Sequence, residues 1–195
     1  MTKLHATTTN ERAMLVQLIH GRRDPAEAAD SLEELARLAD TAGIEVAGQM
    51  TQRRPLPDGR TLIGRGKVAD LAAACADSAV NLLLFDNELD AYQAFNLERE
   101  LDLPVLDRTE LILQIFARRA RTAAAQVQVE LAQLEFLLTR IPERAAQQRF
   151  KGGTTMRGPG ESHLQLRNVP MRRRIAELRK RLETIRARES RRQSR

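Results

Sequence analysis

Short apolar runs alternate with amphipathic segments over roughly the first hundred residues of the chain. Apolar runs bounded by polar or turn-forming residues predict buried strands at Ala13–Ile19, Ile44–Arg53, Val80–Phe85 and Pro104–Leu106, with a shorter strand at Thr61–Ile63. Apolar residues at helical spacing predict helices over Glu27–Ala42, from Gly64 to about Ser78, and over Leu89–Leu101. Strands that alternate with helices in this way are typical of βαβ crossovers. The pattern therefore predicts an α/β domain over residues 1–107, with a small, mostly parallel sheet flanked by helices.

The pattern changes after Asp107, where Asp107 and Glu110 have the spacing of a capping box. From there to Arg140 the chain contains neither Gly nor Pro. Apolar residues then step by four and three in two stripes, Val127, Leu131, Leu134, Leu138 and Ile141, and Met171, Ile175, Leu178, Leu182 and Ile185. Two stripes of equal length predict a long antiparallel two-helix coiled-coil hairpin over residues 108–195, whose arm of about twenty residues would reach about 30 Å.

Pro170 lies next to the start of the second stripe. Proline costs about 3 kcal/mol inside a helix but is tolerated in its first turn. We therefore predict a break near residues 168–170, with the regular helix starting at Pro170 or Met171.

The segment between the two stripes, residues 150–161, contains four glycines and one proline and cannot continue a helix. Glycines permit a close approach of the backbone to a phosphate or a base, and a stiff hairpin would present this loop at a distance. The alternative is a flexible connector without further function. The binding hypothesis assigns RNA contacts at the tip to Lys151, Gly152, Gly153, Arg157, Gly158, Pro159, Gly160 and Glu161.

The net charge of +6 is unevenly distributed along the chain. Residues 1–141 hold sixteen Lys and Arg against twenty-one Asp and Glu, whereas residues 142–195 hold sixteen against five. This asymmetry predicts a localised surface for a polyanion, although a solvated charged helix is the alternative. The candidate phosphate contacts at the base and flank of the hairpin are Arg118, Arg119, Arg121, Arg172, Arg173 and Arg174.

The remaining chemistry-bearing residues predict no catalytic site, metal site or cofactor. The single cysteine excludes an internal disulfide, no apolar run reaches membrane-spanning length, and we expect a cytoplasmic protein. The segment Gly59–Gly66 has glycines at the spacing of a Walker motif, but it lacks the Lys and the hydroxyl residue at the positions that the motif requires. Gly64, Gly66 and Lys67 at a helix start remain possible phosphate-binding residues. Asp86, Glu88 and Asp90 follow a strand, and helix capping explains them more simply than a metal.

Several segments together resemble a known family. They are residues 63–68 (IGRGKV), 84–89 (LFDNEL), 105–109 (VLDRT), 115–122 (IFARRART), 128–134 (QVELAQL) and 152–161 with its RGPGE. These motifs look like the N-terminal half of HflX-type ribosome-associated GTPases, from about residue 10 to 195. The resemblance implies an α/β domain, a two-helix subdomain and a following P-loop GTPase domain. It also implies that GTP and Mg²⁺ are bound only where that last domain is present.

Members of this family bind the large ribosomal subunit and help to split or rescue stalled ribosomes, with the Gly-rich loop directed toward the peptidyl transferase centre. The resemblance therefore implies a binding protein for the large subunit and its RNA, with a role in rescue, splitting or hibernation. Residues 164–170 (LQLRNVP) depart from the family pattern, which carries two more acids there. The sequence leaves two alternatives open: the regulatory part of a GTPase, or an α/β nucleotide-binding sensor.

Overall fold

The computed structural model describes residues 11–22, 24–140 and 163–193. Its chain divides into two units, residues 1–115 and residues 116–195. We call them the α/β unit and the helical unit.

The α/β unit contains a parallel sheet of four strands, β1 (Arg12–His20), β2 (Glu45–Arg54), β3 (Leu82–Phe85) and β4 (Val105–Asp107). Their order across the sheet is β2-β1-β3-β4, and each neighbouring pair is parallel. The prediction of an α/β fold with a parallel sheet is confirmed.

Four helices connect or follow these strands: α1 (Pro25–Thr41), α2 (Arg65–Asp77), α3 (Ala91–Leu101) and α4 (Arg108–Arg119). The residues at their ends explain their bounds. Asp24 caps α1 by accepting a hydrogen bond from the Ala26 amide, and Pro25 occupies the first helical position. After α1, Gly43 adopts a φ of +74°, which favours glycine.

The helices bury both faces of the sheet. Leu15, Leu84 and Leu106 pack with α1 and α4 on one face, whereas Val16 and Phe85 pack with α2 and α3 on the other. Because β1 and β3 are covered on both sides, their sequences are continuous apolar runs rather than alternating ones.

The predicted strand at Thr61–Ile63 is wrong. Leu62 forms only an isolated antiparallel bridge with Asp58, and its φ of +63° is incompatible with an extended strand. Leu62 and Ile63 lie in a tight turn, and their side chains are buried in the hydrophobic core. Their apolar character therefore reflects packing in the core and not membership of the sheet.

The segment 108–140 forms two helices although it contains neither Gly nor Pro. Helix α4 ends at Arg119 and α5 (Ala123–Thr139) begins after Thr122, whose hydroxyl accepts a hydrogen bond from the Ala125 amide. Leu111 and Ile115 of α4 pack in the core of the α/β unit. The division between the units therefore falls after Ile115 and not at the expected residue 107.

Helix α6 extends from His163 to Gln193 and contains Pro170. The predicted break at residues 168–170 is therefore wrong. A proline removes only one backbone hydrogen bond from a helix of 31 residues, and the later turns are stabilised by packing.

That packing joins α5 and α6 along the two apolar stripes. Val127, Leu178 and Leu182 form a buried cluster, with Leu131, Leu134 and Ile185 packed against it. Segment 141–162, which carries the predicted loop, lies outside the described residues. The antiparallel coiled-coil hairpin with its glycine tip stays a prediction.

Candidate nucleic-acid interface

Helix α6 carries most of the positive charge of the helical unit, with eleven Lys and Arg against three Glu between residues 163 and 193. Its buried stripe, Ile175, Leu178 and Leu182, is bordered by two rows of arginines at seven-residue spacing. One row is Arg172, Arg179 and Arg186, and the other is Arg174, Arg181 and Arg188. Seven residues are close to two turns of an α-helix, so the members of each row lie above one another.

One arginine of each row is paired with α5. The Nη2 atom of Arg174 lies 2.7 Å from Oε1 of Glu130, and that of Arg179 lies 2.6 Å from Oε1 of Glu135. The hydrogen bond and charge of Glu130 raise the pKa of Arg174 further above its usual value. These two arginines join the helices, so their charge is partly neutralised.

The other basic side chains of α6 are differently placed. Arg173 forms an ion pair with Glu177 on its own helix, at 3.3 Å, but its side chain is 82% exposed. Exposed ion pairs of this kind contribute little to stability, so Arg173 can readily leave Glu177 for another partner. Among the described residues, six further side chains are exposed and form no ion pair: Arg172, Lys180, Arg181, Arg186, Arg188 and Arg191.

A second group of predicted residues lies at the corner between α4 and α5, which we define as residues 116–122. Arg118 and Arg119 are in the last turn of α4, Arg121 follows in the turn, and all three are exposed. Phe116, one turn earlier, is 57% exposed. Sequence reasoning did not single out Phe116, although an aromatic residue two positions before the first of three closely spaced arginines was a signal that could have indicated it.

The eight predicted tip residues between 151 and 161 lie outside the described residues. Their contribution to RNA binding stays a prediction.

The α/β unit has its own cleft, of about 450 Å³, at the carboxyl ends of β1 and β3. The connection after β1 leads to β2 on one side of the sheet, whereas the connection after β3 leads to β4 on the other side, and open α/β sheets bind ligands at such switch points. The cleft is lined by His20, Pro57, Leu62, Asn87, Glu88, Leu89, Asp90 and Gln93.

Several polar groups of this cleft already have structural partners. Asp90 caps α3 through a capping box with Gln93, which confirms capping as the account of Asp90. The Asn87 side chain exchanges two hydrogen bonds with the backbone of Leu18, at 2.7 and 3.0 Å. The negative charges of Glu88 and Asp90 oppose the binding of a phosphate group here.

Asp86 has a structural partner of a different kind. Its side chain is 1% exposed and lies 2.6 Å from Nη2 of Arg108, while Gln17 and Ser31 donate to it at 3.0 and 2.9 Å. Burial alone would raise the pKa of Asp86, but the hydrogen bonds and the charge of Arg108 hold it below its usual value. No group of three or more potential metal ligands occurs in the part of the chain that the structure describes.

The Gly64–Lys67 segment is a tight entry into α2. The Gly64 amide donates to Oε1 of Gln52 at 2.8 Å, and a Cβ atom at position 64 would lie 3.2 Å from Nη1 of Arg54. Among the described residues no side chain caps α2, and Lys67 lies 3.6 Å from Asp70. Phosphate binding by Gly64, Gly66 and Lys67 stays a prediction.

Comparison with known proteins places the chain in a family. A model described as "GTP-binding GTPase N-terminal" matches residues 29–117, and one described as "GTP-binding GTPase Middle Region" matches residues 119–195. The GTPase HflX of Escherichia coli is 40% identical over 187 residues, which are 95% of this chain and 43% of that protein. The GTPase HflX of Alkalihalophilus pseudofirmus is 41% identical over 164 residues, 84% of this chain and 39% of that protein. The chain belongs to the HflX family.

Two solved structures share the fold of this chain. A GTP-binding protein from the archaeon Sulfolobus solfataricus in complex with GDP shares the fold, with 24% identity and a TM-score of 0.63 over 91% of this chain and 46% of its own. The complex of SsGBP with GDP is similar, with 25% identity and a TM-score of 0.67 over 93% of this chain and 46% of its own. The chain thus spans about two fifths of the length of the curated HflX relatives it matches. None of its described helices combines the length and the hydrophobicity that a membrane crossing needs.

Proposed function

We propose that this chain is an RNA-docking part of an HflX-type protein, and that it binds large-subunit ribosomal RNA through the helical unit. One observation carries the proposal: six exposed basic side chains of α6 form no ion pair with any other described residue. A helix that only needed solvation would mix both signs of charge along its surface. Here the two carboxylates of α5, Glu130 and Glu135, each neutralise only one arginine.

The difference between paired and unpaired arginines within each row supports this proposal. Arg174 and Arg179 fasten α6 to α5, whereas their neighbours in the rows lack a carboxylate partner among the described residues: Arg172, Arg181, Arg186 and Arg188. Guanidinium groups suit phosphate because their planar donors can bind two oxygens at once. Carried on one stiff helix, they form a fixed pattern of charge for an RNA backbone.

The finer proposal concerns where the protein binds. From the family resemblance, we infer that the segment 150–161 forms the tip of a hairpin near the peptidyl transferase centre, in ribosome rescue, splitting or hibernation. The 195 residues contain no complete Walker motif, so we assign no nucleotide hydrolysis to side chains of this chain.

Sedimentation with purified large ribosomal subunits tests the proposal at about 50 and 200 mM salt, where phosphate contacts lose affinity steeply. Replacing Arg172, Arg181, Arg186 and Arg188 by Ala should weaken binding and reduce the log–log salt slope by about three units, at about 0.7–0.9 per lost contact. The matched control removes four exposed arginines of the α/β unit: Arg22, Arg37, Arg65 and Arg99. If both variants lose the same affinity for the large subunit, the effect comes from net charge alone and docking through α6 is refuted.

The nucleotide-sensor alternative retains one favourable observation, the start of α2, which no described side chain caps and which lies beside Arg54. Free amides at a helix start attract phosphate. Titration of the chain with ATP and GTP tests this alternative, with Lys67→Ala as the variant that should weaken binding. We rank this alternative below RNA docking, because the Gly64 amide already donates to Gln52 and Lys67 is paired with Asp70.

A further inference from the structure

Phe116 is an exposed aromatic residue on an otherwise well-packed helix. Its predecessor, Ile115, is 8% exposed in the core of the α/β unit, whereas Phe116 itself is 57% exposed. Single exposed apolar residues are common on protein surfaces and alone indicate nothing. The surroundings of Phe116 make it informative.

The corner that carries Phe116 is held by a set of local hydrogen bonds. The Ala120 amide donates to the Phe116 carbonyl oxygen at 2.9 Å, which closes the last turn of α4. The Gln126 side chain donates to the Ala120 carbonyl oxygen at 3.3 Å, and the Thr122 hydroxyl caps α5 at 3.1 Å. The ring is therefore presented from a fixed backbone, so little conformational entropy would be lost when a partner binds it.

The charge around Phe116 selects the kind of partner. Residues 111–129 contain no Asp or Glu, and Arg118, Arg119 and Arg121 are exposed. Arg119 lies three residues after Phe116 and so shares its helix face. Basic residues in a last turn also favour the negative end of the helix dipole, but that explains neither Arg121, which lies beyond the helix, nor the exposed ring.

Phe95 provides an internal comparison. It is 44% exposed on α3, and the Arg99 guanidinium lies 5.8 Å from the centre of its ring. Glu98, Glu100 and Asp102 surround it in the sequence, so its neighbourhood would repel a polyanion. Among the described phenylalanines, only Phe116 combines an exposed ring with a sequence neighbourhood that is basic and free of acids.

We propose that Phe116 is a stacking site for an unpaired RNA base, with Arg119 and Arg121 binding the phosphates on either side of that base. The inference rests on the proposed RNA docking and specifies it, because a ring can stack only on a base that is free of a duplex. Single-stranded loops and bulges are the RNA features that offer such bases. The corner thus recognises a feature of RNA shape, whereas the rows on α6 recognise charge.

Fluorescence of a Phe116→Trp variant tests this site directly, because the chain contains no other tryptophan. Adding a single-stranded oligoribonucleotide of about ten residues should quench the indole emission to saturation, because stacking on a base quenches it. A duplex RNA of equal charge and heparin, which has no bases, should bind without comparable quenching. Phe95→Trp is the matched control and should remain unquenched by all three ligands.

Affinity measurements give an independent test. Phe116→Leu keeps an apolar side chain but removes the ring, and it should weaken binding of the single strand by about fivefold to a hundredfold with an unchanged salt slope. Phe116→Tyr should retain the affinity, and circular dichroism of each variant should match the parent chain. If the single strand binds the Phe116→Trp variant without quenching its indole emission, or if Phe116→Leu binds as tightly as the parent, stacking is wrong while RNA docking stands. If neither RNA nor ribosomal subunits bind the chain, both proposals fall.

Discussion

The two units use their charged residues in opposite ways. The α/β unit has twelve Lys and Arg against nineteen Asp and Glu, and several of these side chains have charged partners within the unit, such as Asp86 with Arg108 and Arg60 with Glu100. The helical unit has twenty Lys and Arg against seven Asp and Glu, so most of its cations cannot be paired internally. Paired charges in the first unit thus act within its fold, whereas the second unit has an excess of cations that its own acids cannot neutralise.

The largest effect should follow the loss of the buried carboxylate in the α/β unit. Asp86→Ala would remove the carboxylate that lies 2.6 Å from the Arg108 guanidinium, whose side chain is 22% exposed, and would leave Glu34, at 2.9 Å, as its remaining carboxylate partner among the described residues. Removing one member of a buried pair typically costs about 3–5 kcal/mol, and we expect the free energy of unfolding to fall by about that amount. Urea denaturation measures it. Asp70→Ala, which removes an exposed carboxylate beside Lys67, should change stability by less than about 0.5 kcal/mol. Similar values for the two variants would contradict the structural role of Asp86.

The helical unit should depend on its apolar stripe by a slightly smaller amount. Leu178 is 1% exposed between α5 and α6, and Leu178→Ala should lower the free energy of unfolding by about 2–4 kcal/mol. The control is Thr184→Ala on the exposed side of the same helix. A Leu178→Ala chain as stable as the control would show that the α5–α6 packing does not hold the unit together.

Acid should affect the α/β unit through the same carboxylate. The folded-state pKa of Asp86 lies below its unfolded value of about 3.9, so its contribution is complete above that pH and is lost as the pH falls through the folded pKa. We expect the free energy of unfolding to decrease below about pH 4, and Asp86→Asn to flatten that decrease. Thermal melts between pH 3 and 7 would measure it. Parallel profiles for the two proteins would assign the acid sensitivity to other groups.

The sequence predicted most of the sheet because β1 and β3 are buried on both faces, which produces apolar runs that a surface segment would not show. The errors arose where tertiary packing overrode a local preference. Leu62 is buried from a turn, and α6 continues through Pro170 because its later turns are packed on α5. The break between α4 and α5 could have been predicted from Thr122, because threonine is a common residue at the N-cap of a helix.

The candidate interface was less predictable than the fold. Composition located the basic region of the chain, but it could not show which arginines are already paired. Arg174 and Glu130 are 44 residues apart in the sequence and meet only through the packing of two helices. The same limit applies to Asp86 and Arg108, whose partnership depends on the adjacency of β3 and β4.

The smallest expected effect concerns the ion pairs between the two helices. Arg179 and Glu135 are in contact at 2.6 Å, but their side chains are 63% and 43% exposed, so solvent screens most of the attraction. A double-mutant cycle of Arg179→Ala and Glu135→Ala should give a coupling free energy of about 0.2–1 kcal/mol, decreasing with added salt. Glu135→Ala alone has a second consequence. It releases Arg179 from its carboxylate and should therefore strengthen RNA binding slightly, while Thr184→Ala leaves RNA binding unchanged. Weaker RNA binding by Glu135→Ala, with the fold intact, would mean that Glu135 orients Arg179 toward RNA and that the pair belongs to the interface.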